Sequence, residues 1–216
     1  MDKRKKMLLM ISSVMGVILL GIVIYYVVTG ALYVSTEDAS VSGDIGHVTA
    51  LSSGKLADVD MEEGQQVFKD EIVARQETPG TADASLEQTL LRSPMDGVVL
   101  KKQGVPGEIF VPGQTLALLV DPSKLYIVAN IEETKLARVK VGQPVDVTID
   151  QYGGYKFKGK VSLIGQASNS TFALIPTSGG STFTKVVQKV PVRIAIDYGH
   201  ADLMPGTNAV VKIHVR

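Results

Sequence analysis

Side chains able to do chemistry are few in this chain, and their spacing argues against catalysis. The three histidines, His47, His200 and His214, stand far apart and lack metal-ligand spacing. They read as surface or strand-end residues. The acidic group Asp58, Asp60, Glu62 and Glu63 has neither the glycine nor the spacing of a calcium loop. On a strand, Asp58, Asp60 and Glu62 would share one face by the two-residue period. That face is either solvated or, in a ring of protomers, the lining of a pore. No histidine or nucleophile is spaced with these carboxylates for acid–base work. Ser52-Ser53-Gly54 and Ser178-Gly179-Gly180-Ser181 are flexible turns rather than a nucleophile elbow, and no phosphate-binding P-loop occurs. The chain has no cysteine, so disulfides and thiolate metal sites are excluded. No catalytic residue, metal or cofactor is expected.

The elements that remain to be placed are an apolar start and a long β-rich body. Lys3, Arg4, Lys5 and Lys6 precede an uncharged run from Met7 to Thr29. At about 1.5 Å per residue that run reaches roughly 34 Å, enough for a bilayer core of about 30 Å. It is longer than the apolar core of a signal peptide, so an uncleaved anchor is expected, although Thr29-Gly30-Ala31 offers small residues for cleavage. No Lys or Arg follows until Lys55. The positive-inside rule then puts residues 1–6 in the cytoplasm and the bulk of the chain outside it, in a single pass of the cell membrane. The 22 basic and 22 acidic residues balance, which leaves no basic field for a nucleic acid.

Residues 54–74 and 97–117 superimpose without a gap at a constant offset of 43. Gly54 falls on Gly97, Gly64 on Gly107, Leu56 on Val99 and Val67 on Phe110. Each copy shows strand, turn, strand, and Gly54, Gly64, Gly97 and Gly107 are its candidate turn glycines. Two copies are too few for a solenoid, so the halves must pack on each other. Strands are expected at Val48–Ala50, Leu56–Met61, Val67–Ala74, Gly97–Lys102 and Thr115–Val120. Ala84–Leu91 reads as two helical turns.

Past Asp121-Pro122, strands are expected at Leu125–Ile131, Val145–Asp150, Tyr155–Ile164, Gln188–Asp197 and Asn208–Arg216. A short helix is expected at Glu132–Val139, acidic at its start and basic at its end. Tyr155, Phe157, Val161 and Leu163 are spaced for one dominant face. Such regular strands suggest a small antiparallel barrel or sandwich. The loop Ser168–Thr184 carries Phe172, Leu174, Ile175 and Phe183, which either anchor a partner or fold back to plug the barrel end. Asn169-Ser170-Thr171 fits a glycosylation sequon. Lys156, Lys158 and Lys160 share a strand face, as a solvated edge or as a contact with membrane or transporter.

The repeat resembles the biotinyl/lipoyl half-motifs of carrier domains. A carrier would need an acceptor lysine on the turn joining its halves, and Arg75 to Ser93 contains no lysine. That absence favours a structural adaptor over a swinging arm. Further stretches resemble the membrane fusion protein family, the adaptors of HlyD/EmrA type. They include Thr36-Glu37-Asp38-Ala39-Ser40-Val41-Ser42-Gly43, Leu91-Arg92-Ser93-Pro94-Met95-Asp96-Gly97-Val98-Val99 and Ala129-Asn130-Ile131-Glu132-Glu133-Thr134-Lys135-Leu136. Leu203-Met204-Pro205-Gly206-Thr207-Asn208-Ala209-Val210-Val211 is similar to the family's closing strand.

The resemblance implies a mainly β fold: an N-terminal transmembrane helix, a lipoyl-like β-sandwich and a small antiparallel β-barrel. The divisions expected are a basic tail at 1–6, a transmembrane helix at 7–29, a lead-in strand and linker at 30–44, a lipoyl-like domain at 45–120 and a barrel at 121–216. Within the lipoyl-like domain, halves 45–74 and 92–120 flank a joining segment at 75–91, where the family's long helical hairpin is absent. The implied function is a non-catalytic, membrane-anchored adaptor of an efflux or secretion transporter, with multidrug export as the leading case. Its implied partners are a polytopic transporter of major facilitator or ABC type and further copies of the chain, without an outer-membrane channel reached by a hairpin. The alternatives are an envelope-binding or sensory ectodomain without a transport role, and a carrier domain modified on a lysine.

Overall fold

The computed structural model describes residues 3–77, 89–168, 187–199 and 201–215, with side chains described from residue 13 onward. One long helix, α1, runs from Lys3 to Leu32. Its described apolar side chains, from Val14 to Val28, are all exposed. The stretch Ser13–Leu32 is long and apolar enough to cross a membrane. Strand β1 (Tyr33–Ser42) begins at the next residue, within the lead-in strand and linker expected at 30–44, and no linker separates it from the helix.

The rest of the chain is β. The strands are β2 (Ile45–Thr49), β3 (Gly54–Val59), β4 (Gln66–Val67), β5 (Ile72–Glu77), β6 (Leu90–Arg92), β7 (Gly97–Lys102), β8 (Ile109–Phe110) and β9 (Thr115–Val120) in the first stretch. There follow β10 (Tyr126–Glu132), helix α2 (Glu133–Leu136), β11 (Pro144–Ile149), β12 (Lys156–Ile164), β13 (Lys189–Asp197) and β14 (Asn208–His214). Two compact units result: Val41–Tyr126 with His200–Gly206, and Met1–Ser40 with Ile127–Gly199 and Thr207–Arg216.

The first unit is two four-stranded sheets, β2-β9-β7-β4 and β6-β5-β3-β8. The offset of 43 seen in sequence recurs in every element: β3 maps on β7, β4 on β8 and β5 on β9. The two halves exchange their short middle strands, since β4 pairs with β7 and β8 with β3. The hydrogen bonds obey the same operation. Gly64 N donates to Val99 O at 2.8 Å, and Gly107 N donates to Leu56 O at 2.7 Å. Ala50 N donates to Gln114 O at 3.0 Å, and Ser93 N donates to Glu71 O at 2.9 Å. Gly64 (φ 86°) and Gly107 (φ 97°) take the same left-handed turn, where a side chain would be strained. Asp70 (φ 65°) holds the position that Gly113 (φ 86°) holds in the other half, and a short polar residue tolerates it. The expected strand Val67–Ala74 is therefore interrupted: Phe68 to Glu71 form a turn, closed by Glu71 N donating to Phe68 O at 3.1 Å.

Side chains break the symmetry that the backbone keeps. Met61 and Val67 are buried in one half. Their equivalents are Gly104 and Phe110. A Cβ on Gly104 would stand 2.1 Å from Leu116 Cδ1 and 3.0 Å from Phe110 Cζ. The large ring fills from one position the volume that methionine fills from the other, as close packing requires.

Strands β5 and β6 pair antiparallel, with Ile72 opposite Arg92 and Arg75 opposite Leu90. Residues 90–91 of the helix expected at 84–91 are thus strand, Thr89 leads into them as a buried residue, and 84–88 lie outside the described residues. Only residues 78–89 separate the two strands. At about 1.5 Å per residue this length cannot supply two helical arms of any reach.

The second unit is a closed barrel in the order β1-β10-β13-β12-β11-β14. Alternation places Val145, Val147 and Ile149 of β11 and Ala209, Val211 and Ile213 of β14 inside. The face expected of Tyr155, Phe157, Val161 and Leu163 splits. Phe157 and Val161 are buried, whereas Tyr155 and Leu163 are exposed. A bulge between Val161 and Leu163 inserts one residue and turns Leu163 outward. Tyr155 precedes the strand and packs its ring edge-on to Phe157, centroids 4.9 Å apart.

The packing asymmetry of the first unit generates a double-mutant test. Gly104→Met alone overfills the core and costs roughly 1–3 kcal/mol. Phe110→Val alone leaves a void and costs roughly 1–3 kcal/mol. Together they recreate the other half's solution and cost less than the sum, with a coupling of about 1 kcal/mol or more. Urea denaturation of the four proteins measures this, and strictly additive costs would refute the volume exchange.

Candidate functional site

Two networks of described polar side chains cross strands on the barrel, and one of them includes Tyr33 at the end of α1. The junction comes first. Val215 N donates to Leu32 O at 3.0 Å, and the Arg138 guanidinium donates to Ala31 O. These bonds satisfy carbonyls that the last turn of a helix otherwise leaves open. Helix, C-terminal strand and the α2–β11 loop are thereby fastened at one point.

A bulge between Thr36 and Ala39 then lifts β1 off the β14 register. It presents Asp38, whose carboxylate accepts from Lys189 Nζ at 2.7 Å and from Asn130 Nδ2 at 2.9 Å. The Lys189 bond, then the Asn130 bond, hold the Asp38 carboxyl below its usual range. Thr36 Oγ1 donates to Asn130 O at 3.0 Å and accepts from Asp38 N at 3.1 Å. The clasp ties β1 to β10 and to the first residue of β13. The open recess beside it measures about 450 Å³ and is lined by Ser35, Asp38, Asn130, Glu132 and Lys189 among others.

On the opposite side of β1 a second network crosses four strands. Asp146 accepts from Lys158 Nζ and lies 3.0 Å from His214 Nε2. The His214 ring meets Tyr33 edge-on at 4.9 Å, and Lys212 Nζ lies 4.4 Å above the Tyr33 ring. Lys158, then His214, lower the Asp146 carboxyl from its ordinary value. Nothing in either network resembles a nucleophile with its base. They are fasteners, and what they fasten is the wall of a barrel.

The residues singled out from sequence fall as follows. Gly64 and Gly107 occupy turns, while Gly54 and Gly97 open strands β3 and β7. A Cβ on Gly97 would lie 2.4 Å from Val120 O, so its glycine answers close backbone approach rather than a turn. Asp58, Asp60 and Glu62 are exposed, and a bulge between Leu56 and Asp58 interrupts their two-residue period. Among the described residues no three His, Asp or Glu side chains converge as a metal site would require. Phe172, Leu174, Ile175 and Phe183 lie outside the described residues, as do His200 and the Asn169 sequon. Lys158 is engaged with Asp146, and Lys156 and Lys160 are exposed. Sequence reasoning passed over Arg138, whose partner is 107 residues away.

Comparison with known proteins decides the family. The chain is 41% identical over 182 residues to the putative efflux system component YhbJ of Bacillus subtilis, covering 84% of this chain and 79% of that one. This chain belongs to the membrane fusion protein family of HlyD/EmrA type. Residues 125–213 match the YknX-like beta-barrel domain. The multidrug export protein EmrA of Escherichia coli is 34% identical over 135 residues, covering 60% of this chain and 35% of EmrA. The chain therefore spans about a third of EmrA's length. The membrane fusion protein Spr0693 of Streptococcus pneumoniae shares the fold with TM-score 0.61 at 15% identity, over 86% of this chain and 99% of Spr0693. The expected family, mainly β fold and non-catalytic adaptor class stand. The apolar helix and the adaptor relatives fit a membrane-anchored protein.

The Asp146 network has a pH signature. A carboxyl held low stabilises the fold above its unfolded value of about 3.9, and that contribution is lost as pH falls through the lower folded value. Asp146→Asn lowers stability at neutral pH by about 0.5–1 kcal/mol, the range of a partly exposed pair. Thermal melts should show the gap to the parent closing as pH falls below the ordinary carboxylate range. A gap that persists there would place the effect elsewhere than in the charge.

Proposed function

We propose that this chain is the anchored adaptor of a multidrug efflux system, docked on a polytopic transporter of major facilitator or ABC type. The observation that carries the reading is the direct passage from α1 into β1, with Arg138 and Val215 bonded to the last turn of the helix. A barrel so fastened is held at the membrane, where a transporter's exit would be. The duplicated unit, assigned to 45–120, serves as the lipoyl-like module, and 121–216 supplies most of the barrel. N-terminal residues 1–6 face the cytoplasm and the β units lie outside it, following the basic tail. Copies of the chain assemble around the exit path. The twelve residues between β5 and β6 suit a short assembly, without a hairpin to a second membrane. Phe172, Leu174, Ile175 and Phe183 belong to the connection between β12 and β13 and serve as partner contacts. Gly54, Gly64, Gly97 and Gly107 maintain the fold of the module.

Purification of the full-length protein from its native membranes in mild detergent tests the partner. Stoichiometric recovery of a polytopic transporter is the expected result. Recovery of a glycan or signalling protein instead would favour an envelope-binding ectodomain. Removal of residues 3–30 should abolish export, and undiminished export by that soluble form would overturn the docking model.

A further inference from the structure

The segment Ala137–Pro144 forms a cationic groove beside the end of α1. The groove measures about 590 Å³ and is lined by Arg138, Lys140, Val141, Gln143, Pro144 and Val215, with Ala137 and Gly142. It is a built surface. Gln143 Oε1 accepts from Lys140 N at 2.8 Å, and Gln143 Nε2 donates to Arg138 O at 3.1 Å. Gly142 N donates to Val161 O at 2.8 Å, and Val161 N donates to Gln143 O at 3.0 Å, so the loop is locked to β12. Strand register sets Lys160 opposite Pro144. Arg138, Lys140 and Lys160 are exposed, the segment 137–144 contains no acidic residue, and Val141 stands 63% exposed among these cations.

Position supplies the occupant. Arg138 is bonded to Ala31, and Val215 to Leu32, both in the last turn of the apolar stretch Ser13–Leu32. When that stretch crosses a bilayer, a group bonded to its final turn lies in the headgroup layer. In sequence the outer flank of α1 has no cation before Lys55. The fold returns Arg138 and Lys140 to that flank, with Lys160 beside Pro144.

We propose that this groove binds the phosphates of anionic phospholipids in the leaflet where α1 ends. Arg138, Lys140 and Lys160 provide the cations, and Val141 dips below the phosphate level. Long cationic side chains at an interface place their charge among headgroups and their stems among apolar groups. Three cations with one exposed aliphatic side chain match that layer. The proposal rests on the reading of α1 as a membrane anchor, and the test separates the two.

The chain has no cysteine, so one introduced cysteine labels a single site. Full-length Val141→Cys is labelled with an environment-sensitive fluorophore. Asp150→Cys, past the other end of β11, is the control. Both are reconstituted in vesicles and nanodiscs of phosphatidylcholine, with or without phosphatidylglycerol, carrying a headgroup-nitroxide lipid as quencher. The label at residue 141 should be quenched when phosphatidylglycerol is present, and the label at 150 should stay accessible to aqueous iodide. Lys140→Gln and Lys160→Gln in the Val141→Cys background, with Arg138 intact, should reduce the quenched-to-free ratio about fivefold per charge removed. Vesicle flotation reports the anchor independently. Protein that fails to float overturns the anchor reading. Protein that floats with residue 141 as iodide-accessible as residue 150 overturns the headgroup site alone. So does quenching that ignores phosphatidylglycerol or both lysine changes, and so does protection that appears only with a transporter present.

Discussion

The pairing of β1 with β14 is the contact on which the second unit depends. It joins Tyr33 to His214 and Ser40 to Asn208, and it closes a sheet that would otherwise present two open edges. Residues from the two ends of the chain become neighbours, so α1 is fastened through one strand to the whole barrel. Loop-closure entropy rises slowly with length, and a pairing this distant in sequence is sustained by the apolar interior it completes. Val34, Ala39, Ala209, Val211 and Ile213 all enter that interior from these two strands. The Asp38 clasp and the Asp146 network lie on the outer surface to either side and guard the same seam.

The first unit meets a different constraint. Each half of a duplicated motif lends one short strand to its counterpart, so neither half can close its sheet alone. Backbone hydrogen bonds are conserved between the halves because turn geometry leaves little freedom. Side-chain volumes are free to drift as long as the shared core stays full, and the exchange of Met61 and Val67 for Gly104 and Phe110 is one such drift.

Much of this was legible in sequence where the physics is local. The offset of 43 appears letter by letter, and alternation in Val145–Ile149 and Asn208–His214 marks half-buried strands directly. What escaped depends on distant partners. Ser35 to Ser42 are mostly small or polar, so the lead-in strand expected there rests on the family resemblance, and its pairing with β14 and β10 is set by distant residues. The bulge that turns Leu163 outward is set by the register with β13. Asp70 breaks an apparently continuous strand by adopting a conformation that glycine signals elsewhere. The two clasps were hidden for the same reason: Asp38 meets Lys189 across 151 residues, and His214 meets Asp146 across 68. Composition had already spoken on catalysis, since three dispersed histidines and no cysteine leave little to assemble.

The absence of any linker between Leu32 and Tyr33 makes the helix and barrel a single lever. A helix joined by flexible chain can tilt without moving its cargo. Here three groups, the peptide bond itself, Arg138 and Val215, resist independent rotation. Apolar spans adapt to bilayer thickness by tilting. Were α1 to span a thinner bilayer, a greater lean of the helix would carry the barrel wall with it. Lipid composition thereby becomes a mechanical input to the angle at which this adaptor meets whatever stands beside it.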